Sequence, residues 1–120
     1  MAKILVADDS KTQLMFIRKV LENTPHQLDF ATDGEIAEQK ALAGNYDMII
    51  LDVVMPKKNG FQLCRDLKKN AKFKNTPILI VTTKNLESDR FWGLKQGADD
   101  FIVKPYTEEQ LLTSIKKFIR

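Results

Sequence analysis

Four short apolar runs punctuate this chain, and each ends in residues that carry charge or a hydroxyl. Ile4-Leu5-Val6-Ala7 leads into Asp8-Asp9, and Met48-Ile49-Ile50-Leu51 leads into Asp52. Ile78-Leu79-Ile80-Val81 leads into Thr82-Thr83, and Phe101-Ile102-Val103 leads into Lys104-Pro105. A brief apolar run bounded by turn residues reads as a strand buried on both faces, as in a parallel sheet. Helical patterns fill the intervals, so the alternation predicts βαβ units. In such open sheets ligands bind beyond the carboxyl ends of the strands, which is where these polar residues fall.

The intervals carry their own punctuation. Ser10-x-x-Gln13 predicts a capping box ahead of Leu14, Ile17 and Leu21, and Pro25 ends that helical region. Leu28-Asp29-Phe30-Ala31 alternates as a more exposed edge strand does. Thr32-x-x-Glu35 predicts the cap of a second helix running to about Ala43, with Gly44 as its stop. A loop with Met55-Pro56 and Asn59-Gly60 precedes a third helix that presents Leu63, Cys64, Leu67 and Ala71 to the core. The fourth helix, about Leu86 to Gln96, has the weakest amphipathic pattern, and Gly97 closes it. Thr107-x-x-Gln110 caps a fifth, with Leu111, Leu112, Ile115, Phe118 and Ile119 on one side. Five strands and five helices use up residues 1–120 as a single domain, with no linker or repeat.

Composition narrows the class. No apolar stretch approaches the roughly 18 residues of a membrane span, and no signal-peptide pattern opens the chain, so a cytoplasmic protein without membrane insertion is expected. The lone cysteine, Cys64, forms no internal disulfide and reads as a small buried hydrophobe. The net charge of +3 is mild, and the clusters Lys57-Lys58, Lys68-Lys69-Lys72-Lys74 and Lys116-Lys117 read as solvated helix faces. Nothing accompanies them that would read nucleic acid. His26 beside Pro25 reads as a solvated surface residue and a poor phosphotransfer histidine.

The run-end residues suit one chemistry jointly. Mg²⁺ favours oxygen ligands and keeps several waters. Without a cation, two carboxylates about 4 Å apart at an effective dielectric near 20 repel by roughly 4 kcal/mol. A carboxylate beside the metal can act as a nucleophile toward phosphorus. An ammonium such as Lys104 and a hydroxyl such as Thr82 would then hold phosphoryl oxygens, because phosphoryl transfer rests on positioning and charge neutralisation.

These residues, in this order, resemble the receiver domain of bacterial response regulators, from end to end. The resemblance rests on Ile4 to Ser10, on Leu51-Asp52-Val53-Val54-Met55-Pro56-Lys57-Lys58-Asn59-Gly60, on Val81-Thr82-Thr83, and on Gly97-Ala98 through Lys104-Pro105. It implies a flavodoxin-like (βα)5 three-layer sandwich with strand order 2-1-3-4-5 and helices on both faces, a doubly wound sheet with its site at these same strand ends. It implies that Asp52 accepts a phosphoryl group, that Asp9, Asp52 and the Val54 carbonyl bind Mg²⁺ directly, and that Asp8 does so largely through water. Thr82 and Lys104 would contact the phosphoryl group, Thr82 and Phe101 would form the switch, and the Lys104–Pro105 bond would be cis. The implied partners are a CheA-like sensor histidine kinase and a downstream protein docking on the face of the fourth helix, fifth strand and fifth helix. The expected state is a monomer or weak dimer.

Since residue 120 follows the fifth helix, no output domain is expected, as in stand-alone CheY-like regulators. Residues 82–98 look closest to regulators of type IV pilus twitching motility. Three departures bear on the lifetime of the phosphorylated state: Thr83 stands where many members carry Ala, and Val54 and Lys84 are not the polar or acidic choices of fast-hydrolysing chemotaxis members. Phe101 lacks a hydroxyl and reports the switch only by packing. The resemblance implies a switch with self-catalysed phosphotransfer and dephosphorylation, not a conventional enzyme, acting either as a signal or as a phosphate sink for a shared kinase. An aspartate-nucleophile phosphatase would need an acid at Val54 or Lys11, and a flavodoxin-like phosphate binder would be repelled by Asp8-Asp9. A receiver-like interaction module independent of phosphorylation is the remaining alternative, and the intact Asp8, Asp9, Asp52, Thr82 and Lys104 argue against it.

Overall fold

Alternate residues of each central strand feed two separate cores, which is what a sheet covered on both faces requires. The computed structural model describes residues 1–119. Strands β1 (Lys3–Ala7), β2 (Gln27–Ala31), β3 (Met48–Leu51), β4 (Ile78–Thr82) and β5 (Asp100–Val103) form one parallel sheet in the order β2-β1-β3-β4-β5. Helices α1 (Lys11–Leu21), α2 (Gly34–Ala43), α3 (Gly60–Lys68), α4 (Glu87–Lys95) and α5 (Glu108–Phe118) connect and follow them, with a 3₁₀ turn at Ala71–Phe73. Ile4, Val6, Met48, Ile50, Leu79 and Val81 pack against Leu14, Ile17, Val20 and Leu21 of α1 and Leu111 and Ile115 of α5. Leu5, Ala7, Ile49, Leu51, Ile78 and Ile80 pack against Ala37 and Ala41 of α2 and Leu63, Cys64 and Leu67 of α3. At about 1.5–3 kcal/mol for each fully buried large aliphatic side chain, these two layers hold the strand ends in place. The flavodoxin-like fold and strand order expected from the resemblance are those observed.

Several local expectations change. Asp33, not Thr32, caps α2, its carboxylate accepting the Ile36 N–H at 2.8 Å. Ser10 caps α1 by accepting from the Gln13 N–H at 3.3 Å, but its own N–H goes to Asp8 Oδ1, so the reciprocal half of the box is not made. The Thr107–Gln110 box is complete. Helix α1 stops at Leu21, before Pro25. Ala71 is exposed because the chain turns 3₁₀ there, and Phe73 enters the core instead. Phe118 is exposed beside the buried Ile119. Three lysines read as solvated are ion-paired: Lys58 with Glu38 and Asp66 at 2.9 and 2.6 Å, Lys68 with Asp99 at 3.2 Å, and Lys117 with Asp100 at 3.3 Å. His26 is half-buried, its Nδ1 accepting the Ala2 N–H at 3.1 Å. Cys64 is fully buried, and burial pushes its thiol up to about 12, so it is inert.

Helix α4 is the loosely held element. Gly93 is its one buried residue, lying against the Phe101 and Phe61 rings, while Phe91, Trp92 and Leu94 are exposed. Its weak sequence pattern reflects this: little of the helix is spent on the core.

The loop between β3 and α3 folds back so closely that only glycine fits at its end. A Cβ on Gly60 would lie 2.1 Å from the Asp52 carbonyl oxygen, and the Gly60 N–H donates to the Val53 carbonyl at 2.9 Å. Gly60→Ala must push the backbone at Asp52 aside. It is expected to lower unfolding stability by about 2 kcal/mol in a urea titration; an unchanged midpoint would contradict this packing.

Candidate functional site

Register brings the run ends together. Ala7 of β1 faces Leu51 of β3, so Asp8 and Asp52 emerge side by side one residue later. The ladder continues past the strands: the Asp52 N–H donates to the Ala7 carbonyl at 2.9 Å, and the Asp8 N–H to the Ala31 carbonyl at 3.0 Å. Thr82 faces Val103, and the next residue, Lys104, donates its N–H to the Thr82 carbonyl at 2.7 Å. The Lys104–Pro105 bond is cis, as the resemblance implied.

Lys104 Nζ reaches back across the sheet, donating to Asp8 Oδ2 at 2.6 Å and Asp52 Oδ2 at 3.2 Å. All three side chains are less than a tenth exposed. Asp8 is fully engaged, because its Oδ1 accepts the Ser10 N–H at 2.9 Å. Burial is the largest influence on Asp8 and raises its carboxyl above the usual range; the hydrogen bonds from Lys104 and Ser10 pull the other way, and the Asp52 charge adds to the rise. Asp52 differs: its Oδ1 is buried without a hydrogen-bond partner. Asp9 is exposed at the rim, and one oxygen from each of Asp8, Asp9 and Asp52 lies within 4.8 Å of the others. An orphaned carboxylate oxygen beside an exposed carboxylate is a donor set that fits a hard cation.

The other expected residues lie on β4, on β5 and in the loops that follow β3, β4 and β5. Thr82 is fully buried, its hydroxyl accepting the Lys84 N–H at 3.4 Å. Thr83, Lys84 and Val54 are exposed, Val54 by 56 %. The carbonyls on either side of Val54 anchor the loop: that of Val53 accepts from Gly60, and that of Pro56 from Gly34 and Lys58. Phe101 is not at the cluster; it is buried against α4, with its carbonyl accepting from Arg90 at 3.2 Å. Pro105 is exposed.

Sequence reasoning passed over two contributors, Lys58 and Gly60. Lys58 draws α2 and α3 together under the β3–α3 loop, and its hydrogen bond holds the Asp66 carboxyl below the usual range. Gly60 permits the loop's return. The Asn59-Gly60 pair was a visible signal for the second, whereas nothing distinguishes Lys58 from its neighbouring lysines in sequence.

The family profile of the response regulator receiver domain matches residues 4–116. The chain is 43 % identical over 115 residues to Protein PilH of Pseudomonas aeruginosa, covering 96 % of this chain and 95 % of that protein. It is 40 % identical over 120 residues to Response regulator ArlR of Staphylococcus saprophyticus, covering all of this chain but 53 % of that protein, about half its length. Among solved structures, the chemotaxis response regulator CheY4 of Vibrio cholerae superposes with a TM-score of 0.92 at 33 % identity, covering 99 % of each chain. The chain belongs to the receiver domain family of two-component response regulators.

Proposed function

We propose that this receiver domain accepts a phosphoryl group on Asp52, in a Mg²⁺-dependent reaction, from the phosphohistidine of a sensor histidine kinase. The observation that carries the reading is the buried, unpartnered Oδ1 of Asp52 beside the Asp9 carboxylate. Asp9, Asp52 and the Val54 carbonyl are the proposed metal ligands, with Asp8, whose oxygens are already engaged, acting through water. When bound, Mg²⁺ supplies the charge neutralisation that lets three acids and a phosphoryl group share one site.

An Asp52 carboxylate oxygen forms a bond to phosphorus as the bond from phosphorus to the histidine nitrogen breaks; the imidazole leaves with that electron pair. Lys104 turns from the two acids toward a phosphoryl oxygen. The Thr82 hydroxyl gives up its weak 3.4 Å contact with the Lys84 N–H to donate to another. Phe101 then repacks against Gly93, which shifts α4, β5 and α5 for a partner protein. Exposed Val54, Thr83 and Lys84 line the approach of water and set how long the phosphoryl group stays. The likeness to PilH, together with residues 82–98, supports a role in pilus or chemotaxis-like signalling.

Incubation with Mg²⁺ and acetyl phosphate is expected to add one phosphoryl group by intact mass, and Asp52→Asn to prevent it. No adduct, or one that survives Asp52→Asn, overturns the reading. Lys104→Gln leaves Asp8 and Asp52 buried without their cation and is expected to cost about 3 kcal/mol of stability at neutral pH. A carboxyl raised in the folded state favours folding more as pH falls, because the folded protein then binds the extra proton. The deficit of Lys104→Gln should therefore shrink on acidification toward the ordinary carboxylate range. A deficit that grows would contradict the arrangement.

A further inference from the structure

The loop between β3 and α3 contains a strained turn. Lys57 has φ 73°, the one positive value outside glycine among the described residues. Across it, the Lys58 N–H donates to the Pro56 carbonyl at 2.8 Å. A positive φ spanned by such a bond makes a γ turn of the rare, strained hand, which glycine adopts freely and lysine does not. Strain of this kind persists only where the surroundings hold it.

The next residue supplies the hold. Lys58 Nζ donates to both Glu38 oxygens at 3.1 and 2.9 Å and to Asp66 Oδ2 at 2.6 Å. One side chain thus clamps the loop between α2 and α3. The Gln62 amide steadies Asp66 at 2.9 Å, and all three charged side chains are less than a third exposed, so solvent screens the pairing only in part. The main chain adds an anchor at the start of α2, where the Gly34 N–H donates to the Pro56 carbonyl at 3.1 Å. On the other side of Val54, the Val53 carbonyl accepts from the Gly60 N–H at 2.9 Å. The direction of the Val54 carbonyl between these anchors therefore follows the turn.

We propose that Lys58 is a positioning residue for the metal site: its ion pairs with α2 and α3 hold the strained turn at Lys57, and the turn aims the Val54 carbonyl at Mg²⁺. The proposal rests on the reading of that carbonyl as a metal ligand. Once Lys58 is released, the turn relaxes toward negative φ and fewer molecules present the carbonyl. Apparent affinity falls with that fraction. Charge alone argues the other way, because deleting an ammonium and freeing two carboxylates makes the surroundings more negative and would tighten a cation.

The test is a Mg²⁺ titration of the full chain, followed by the amide NMR shifts of Asp9 and Asp52. Lys58→Met keeps an apolar stem and is expected to weaken Mg²⁺ binding about fivefold, the scale on which a residue with a Cβ disfavours positive φ. Adding Lys57→Gly removes the strain without touching an acid or a metal ligand. The double variant is expected to return to within about twofold of the wild type. Mg²⁺ affinity that is unchanged or tighter in Lys58→Met overturns the proposal. So does a loss that Lys57→Gly fails to restore, or a Lys58→Met chain that does not fold, since either makes the ion pairs structural only. Failure of the metal reading shows separately, as a wild type that takes up no Mg²⁺, and it would overturn both.

Discussion

Two carboxylates withdrawn from water share a single ammonium at the top of the sheet, and the remaining architecture accommodates that imbalance. Lys104 lies 2.6 Å from Asp8 and 3.2 Å from Asp52, with Asp9 contributing further negative charge at the rim. Desolvation costs several kcal/mol per buried ion, so this cluster opposes folding unless its geometry is imposed from elsewhere. The imposing elements are the fully buried aliphatic runs directly behind it, whose register leaves the chain no other place to put residues 8 and 52. On the proposed function, the charge imbalance that opposes folding would also give a metal ion and a phosphoryl group something to bind.

The same division of labour extends outward. β1 and β3 sit at the centre of the sheet with both faces covered, and they hold the acids rigidly. Helix α4, anchored by little more than Gly93 on the Phe101 ring, lies at the low-stability end of the fold. A change at Thr82 or Lys104 has only a short path through β4 and β5 to reach it, and little packing resists the movement. Its exposed Phe91, Trp92 and Leu94 make the surface that would be altered.

Much of this was legible in sequence because a strand buried on both faces must be a continuous apolar run, and runs of that kind have unambiguous ends. Asp8, Asp52, Thr82 and Lys104 were found by being at those ends, and parallel pairing then collects them. Legibility failed where two neighbours had the same competence, as with Thr32 and Asp33 at the cap of α2. It failed for Lys58 and Lys68, since a lysine that bridges two acids or reaches into a loop looks like any lysine on a helix face until the partner elements are placed. Phe101 was legible as the switch aromatic through the resemblance, but its packing depends on Gly93 of α4, which nothing in its own run reveals.

The central claim is that the acids at the strand ends are held in mutual repulsion for a cation to relieve. Thermal unfolding of the wild type and of Asp52→Asn across a Mg²⁺ titration tests it most directly. A ligand that binds only the folded state raises stability by RT ln(1 + [L]/Kd), about 2.7 kcal/mol at a hundredfold excess over Kd. Without Mg²⁺ the variant is expected to melt higher than the wild type, and Mg²⁺ to raise the wild type while moving the variant much less. A wild type that melts higher than Asp52→Asn without Mg²⁺, or equal Mg²⁺ responses in the two proteins, would contradict it.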